Sequence, residues 1–228
     1  MQDIQNQKGK KLSGSTIKLI AILSMFVDHL GASGVVSILS DNIWVYEMCR
    51  LIGRIAFPLF CFLLVEGFVH TGNRKAYLGR LFLFALLSEI PFDLAFYNRW
   101  FYIESQNVFF TLFLGLLTLH CIDAAVQANH KTRVWIPMVL GGIAAWGLRT
   151  DYSYFGVWLI VVFYWFRGIP WRRNVVAGCS CLWEPAAILA LIPIQLYNGR
   201  RGINLKYLFY WFYPVHLLCL WYLREYLW

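Results

Sequence analysis

Asp28 and His29 stand together in the middle of an apolar run, Ile17 to Leu39, whose one other ionisable residue is Lys18. Charge at bilayer depth is costly unless it is paired or wetted, so such residues are functional candidates by default. Lys18 precedes His29 by eleven positions. At about 100° per residue the two side chains return to within roughly 20° of one helix face, about 16 Å apart along the axis. That arrangement suits a long anionic ligand, its charged end at the ammonium and its reactive end at the imidazole. Histidine titrates near working pH and can take a proton from an attacking amine or hydroxyl. Asp28 either orients that ring or pairs with Arg54 and only shapes the site. Neighbours on a helix point about 100° apart, so direct Asp28–His29 contact needs distortion or water. The plain alternative is a snorkelling lysine and a packed histidine.

Further ionisable groups recur in apolar surroundings. Arg50 and Arg54 are four apart and fall on one helical face, ahead of a kink expected at Pro58. Glu66 follows, and Glu89 and Asp93 share a face on either side of Pro91, where the helix is expected to break. These five form a supporting polar network, with Asp28 or Glu89 as carboxylates for the arginines. Asn107, Tyr197, Asn198, Tyr210 and His216 are candidates for meeting the acceptor or stabilising an oxyanion. His216 either faces the cavity of His29 or packs among the aromatic residues around it. No phosphate-binding glycine loop, serine elbow or HExxH is present, and Cys179 and Cys181 lack the second pair that a zinc site needs. No metal is expected.

The elements that must hold these groups are membrane helices. Residues are 60% hydrophobic and 14% charged, outside the range of ordinary soluble domains. The expected fold is an all-α polytopic bundle of about eight spans, over 16–39, 43–69, 76–97, 107–124, 134–149, 154–167, 174–197 and 206–225. A polar tail over 1–15 precedes a single transmembrane domain over 16–228. With the N-terminus inside, Lys8, Lys10, Lys11, Lys18, Arg74, Lys75, Arg80, Lys131, Arg133, Arg167, Arg172, Arg173 and Arg224 fall on the cytoplasmic side. Arg99, Arg149, Arg200, Arg201 and Lys206 fall on the other. That asymmetry places both termini in the cytoplasm. The net charge of +8 therefore reports topology and not a nucleic-acid partner. The far-side segments 98–106 and 198–205 are expected to meet the acceptor. A proton-coupled transporter using Asp28, His29, Glu66 and Glu89 as a relay is the reading from another class, weakened by the lack of evident internal repeats.

In order along the chain, several motifs resemble the TraX family, named for a conjugation protein that acetylates the N-terminus of pilin. They are Ile17-Lys18-Leu19-Ile20-Ala21, Asp28-His29, Ile52-Gly53-Arg54-Ile55-Ala56-Phe57-Pro58-Leu59-Phe60, Glu66-Gly67-Phe68 and Ser88-Glu89-Ile90-Pro91-Phe92-Asp93. Asn107-Val108-Phe109-Phe110-Thr111, Tyr197-Asn198-Gly199 and Phe209-Tyr210-Trp211-Phe212-Tyr213-Pro214-Val215-His216 complete the set. Membrane acyltransferases that O-acetylate polysaccharides are a broader resemblance. They too carry a basic residue ten positions clear of their catalytic histidine, and Arg80 is similar to one of their cytoplasmic arginines. There, Glu66 stands where that family has a serine. The resemblance implies a multi-pass acetyltransferase of the bacterial inner membrane with acetyl-CoA as donor, held by Lys18 and Arg80. His29 and Asp28 would be catalytic, by direct transfer or through an acetyl-histidine. The implied acceptor is the N-terminal amine of a small exported, pilin-like protein, with a surface-glycan hydroxyl as the alternative.

Overall fold

The structure, a computed structural model, describes residues 11–204 and 206–226. The first ten positions of the expected polar tail, Lys8 and Lys10 among them, lie outside the described residues. The fold is all-helical. Its helices are α1 (Gly14–Ala32), α2 (Val35–Leu39), α3 (Ile43–Gly53), α4 (Ala56–His70), α5 (Arg74–Tyr97), α6 (Val108–Gln127), α7 (Trp135–Gly147), α8 (Ser153–Trp165), α9 (Pro170–Ser180), α10 (Leu191–Gln195) and α11 (Lys206–Tyr226). Among the described residues, α1, the α3–α4 stretch Ile43–His70 and α6 are long and apolar enough to cross a bilayer. Trp135–Gly147, Ser153–Trp165 and Pro185–Gln195 are apolar but shorter. Thirteen residues of α-helix reach about 20 Å, less than the hydrocarbon thickness of about 30 Å.

Local chemistry explains most boundaries. Ser13 caps α1 through Thr16 N, Asn73 caps α5 through Ala76 N, and Asn107 caps α6 through Phe109 N. The first expected span does not run on to residue 39, because Gly34 adopts φ +84° and turns the chain into α2. Pro58 produces no kink. It is the third residue of α4, where a missing N–H breaks no helical bond. The interruption lies earlier, at Arg54 and Ile55. Pro91 does not break α5 either, which runs unbroken from Arg74 to Tyr97. The expected span 174–197 is three short pieces, α9, a 3-10 turn over Pro185–Ala190 and α10. The break falls at the turn 181–184, after which Pro185 opens the next helical piece.

The region expected to be one domain is divided into two compact units, residues 1–63 with 181–228 and residues 64–180. In the first unit α1 packs along α3, with Ser24 Oγ donating to Ile52 O at 2.5 Å. The start of α1 is tied to the 196–203 segment through Gly14 N to Arg200 O (2.8 Å) and Ser15 N to Arg201 O (2.9 Å). At its other end, Arg224 of α11 donates to Ser33 O at 3.2 Å. Helices α1 and α11 therefore run parallel.

That direction corrects two expectations. Residues 12–15 of the expected polar tail are docked chain, since Leu12 N also bonds Leu196 O and Asn198 N bonds Leu12 O. Of the expected 198–205 segment, residues 198–203 lie at the start of α1, not at the opposite end, and the end of α11 lies beside the end of α1. The expectation of both termini on one face counted 174–197 as a full crossing.

In the second unit α6 packs against α5, α7 and α8 around Leu114, Ala145 and Val157. Its polar groups sit mainly in ion pairs, Arg74–Asp123 and Arg167–Glu66, the latter at 2.7 Å.

Candidate active site

Helix α1 is unbroken between Lys18 and His29, so the spacing expected from sequence is the spacing in the fold. His29 Nδ1 lies 2.7 Å from His216 Nε2 on α11, with the two ring planes 5° apart. His216 Nδ1 in turn lies 2.7 Å from Phe212 O, one turn back along α11. A carbonyl oxygen can only accept, so His216 Nδ1 carries a hydrogen. In the neutral ring, His216 Nε2 is then the acceptor, and His29 Nδ1 must donate to it. His29 is thereby held in the tautomer whose Nε2 is unprotonated, the form required of a general base. Aromatic rings enclose the pair. Tyr213 meets both imidazoles edge-on, at 5.9 Å and 5.6 Å, and Phe26 and Phe212 flank His216 at 6.1 Å and 4.7 Å.

Asp28 turns away from the imidazole. Its Oδ2 accepts from Arg50 Nη1 at 2.8 Å, while its buried Oδ1 has no hydrogen-bond partner among the described residues. Arg54, the arginine expected to take Asp28, pairs with Glu184 at 3.0 Å, while Arg50 takes Asp28. Arg54 N still bonds Arg50 O at 3.2 Å, so both arginines keep the one helical face expected from their spacing. Glu184 was not expected at all. Its one sequence signal is a carboxylate inside a largely apolar stretch. Lys18 directs its ammonium at the Phe209 ring, 4.8 Å from the centroid, toward the start of α11. Tyr197 and Asn198 sit at that same end, with Tyr197 against Phe62 at 5.3 Å. Tyr210 is half-buried on α11, about 120° around the helix from His216.

The remaining candidates belong to the second unit and have structural partners there. Glu66 accepts from Arg167 Nε at 2.7 Å and stands 3.8 Å from His70 Nδ1. Asn107 Nδ2 donates to Ala85 O at 2.8 Å and to Glu89, which uses both amide hydrogens and leaves none for an oxyanion. Asp93 Oδ2 accepts from Tyr102 N at 2.8 Å and pins the loop after α5. Arg80 lies 5.7 Å from the Tyr77 ring centroid, and its buried Nε has no hydrogen-bond partner among the described residues. Among the described residues no three His, Cys, Asp or Glu side chains gather as metal ligands.

Comparison with known proteins bears on what such an arrangement serves. The family described as TraX protein matches residues 13–224. The chain belongs to the TraX family. A relative from Dichelobacter nodosus, described as probable fimbrial assembly protein FimC of serogroup H1, is 31% identical over 91% of this chain and 94% of its own length. No solved structure matches. The TraX match takes in Lys18, His29 and His216 together, so the relay and the lysine before it lie within the family's own extent.

Proposed function

We propose that this TraX-family protein is an integral-membrane acetyltransferase. It would move an acetyl group from cytoplasmic acetyl-CoA to the N-terminal amine of a small exported, pilin-like protein. The observation that carries the chemistry is the chain His29 Nδ1, His216 Nε2, His216 Nδ1, Phe212 O. The observation that favours a pilin-like acceptor is the fimbrial-assembly description of the relative. A glycan hydroxyl uses the same base and is the alternative acceptor.

In the proposed reaction the acceptor amine, in its neutral form, attacks the thioester carbonyl carbon. His29 Nε2 removes the amine proton as the C–N bond forms. Collapse of the tetrahedral intermediate breaks the C–S bond, and the proton passes from His29 to the departing CoA sulfur. While protonated, His29 keeps its Nδ1–H on the neutral His216, so the relay holds the ring in place through both transfers. Asp28 acts at one remove, by fixing α1 against α3 through Arg50. Arg80 remains a proposed phosphate contact, to be tested by Arg80→Ala. The orientation follows the basic residues: Lys11 and Lys18 mark the start of α1 as cytoplasmic, and the docked Arg200 and Arg201 add to that side. About seven crossings then replace the eight expected from sequence.

The test is purified protein in nanodiscs with radiolabelled acetyl-CoA and a peptide bearing a free N-terminal amine, comparing wild type with a folded His29→Ala variant. Transfer to the peptide, or donor hydrolysis, that is lost in the variant is the expected result. Undiminished turnover in His29→Ala, or none in wild type, overturns the proposal.

A further inference from the structure

Arg200 and Arg201 are unexplained by the chemistry above, and the fold places them at the donor end of α1. The turn that carries them is built, not slack. Gly199 and Gly202 both adopt left-handed φ, +76° and +74°, and a side chain at Gly202 would collide with Ser13 and Ser15. Five hydrogen bonds tie this turn and its flanks to residues 12–15, the last from Ile203 N to Ser15 Oγ at 3.2 Å. Those bonds consume the first amides of α1, so the helix terminus is not itself the feature of interest. What they fix is the backbone from which two exposed arginine side chains extend.

Lys18 is one turn beyond Ser15 on the same helix. Asn204 Oδ1 accepts from Arg201 Nη2 at 2.7 Å and orients the guanidinium fork. None of Lys18, Arg200 and Arg201 has a carboxylate within 4.0 Å among the described residues, whereas Arg50, Arg54, Arg74 and Arg167 each do. Like charges gathered on a rigid turn repel one another, which costs stability unless an anion is shared between them. Guanidinium forks match phosphate oxygens in pairs, and a lysine adds a point charge.

We infer that the Asn198–Asn204 turn is the recognition element for the phosphates of a nucleotide-tailed thioester, with Arg200, Arg201 and Lys18 sharing its charge. This rests on the acyl-donor reading above and adds residues to it. Lys18 lies about 16 Å along α1 from His29. A pantetheine arm can therefore run down the helix with its phosphates at the turn and its thioester at the imidazole. The segment expected to face the acceptor thus serves the donor. An anionic lipid headgroup presents the same phosphate chemistry, so the test separates the two.

Binding of acetyl-CoA and of acetyl-pantetheine, which lacks the nucleotide and its phosphates, is measured in phosphatidylcholine nanodiscs for wild type and the double variant Arg200→Ala/Arg201→Ala. Wild type should prefer acetyl-CoA. The double variant should lose about tenfold or more of that affinity, the size of one or more charge-assisted hydrogen bonds, with acetyl-pantetheine unchanged. Arg201→Lys should recover part of the loss. Because the backbone ties the turn to α1, the double variant is expected to stay folded, checked by its melting temperature. Equal preference for acetyl-CoA in wild type and variant overturns the inference while leaving the enzyme reading intact. So does a variant whose sole defect is weaker retention of phosphatidylglycerol. No acetyl-CoA binding by folded wild type removes both.

Discussion

Gly53 faces Asp28 so closely that a side chain on the glycine would overlap the carboxylate. The contact lets α1 and α3 approach until Asp28 reaches Arg50, one turn before Gly53. Gly53→Ala should force the helices apart or expel Asp28. The expected cost is about 1–3 kcal/mol from overpacking, seen as a lower melting temperature in detergent. Gly72→Ala is the contrast, since a Cβ there meets nothing within 4 Å. Equal melting temperatures for the two variants would show that the Asp28–Gly53 contact is not under this constraint.

His216 is a positioning residue in the proposed mechanism, acting through His29 and not on substrate. His216→Ala leaves His29 free to take either tautomer, which should lower kcat by about ten- to a hundredfold, part of the general-base contribution. His216→Gln supplies a side-chain oxygen that can accept from His29 Nδ1, and should recover much of the loss. A purely packing role predicts the opposite ranking or no difference, because glutamine neither fills the aromatic box nor stacks. Kinetics of the two variants at saturating donor decide the matter.

How far these features could be read from sequence depends on whether they lie along one element or between elements. The Lys18–His29 relation lies on one helix, and helical period alone places it. The pairing of Arg50 with Asp28 and of Arg54 with Glu184 joins separate elements, and helical period puts both arginines on one face without naming either partner. The His29–His216 bond joins residues 187 apart, and nothing local distinguishes His216 from a packed histidine. Pro91 misled because a proline inside a long helix removes one bond without necessarily ending it. The side of the 198–206 segment failed for a different reason. Topology from charge is cumulative, so one miscounted crossing inverts all that follows.

The two ion pairs of the first unit, Arg50–Asp28 and Arg54–Glu184, should behave as one coupled network. Asp28→Asn alone leaves Arg50 without its carboxylate in a partly buried site, with an expected loss of about 2 kcal/mol. Combining it with Arg50→Gln should restore part of that loss. Asp28→Asn combined with Glu184→Gln should depart from the sum of the single effects by about 0.5 kcal/mol or more, because the charges of both arginines reach both carboxylates. Melting temperatures across the two cycles measure this. Strict additivity of Asp28 and Glu184 would show two independent pairs in place of a shared network.

Parallel packing of α1 and α11 makes a topological prediction that charge counting alone reverses. Ile203 is 71% exposed, on the turn docked to the start of α1, while Tyr226 is 64% exposed at the end of α11. In a background with the native cysteines replaced, Ile203→Cys and Tyr226→Cys should be labelled by an impermeant maleimide from opposite faces of oriented membrane vesicles. Lys11→Cys should share the face of Ile203→Cys, since Leu12 and Ser15 hold that turn. Labelling of Lys11→Cys and Tyr226→Cys from one face would restore both termini to one side and contradict the parallel pair. Labelling of Ile203→Cys from the face opposite Lys11→Cys would separate the arginine turn from Lys18, and the proposed phosphate site would go with it.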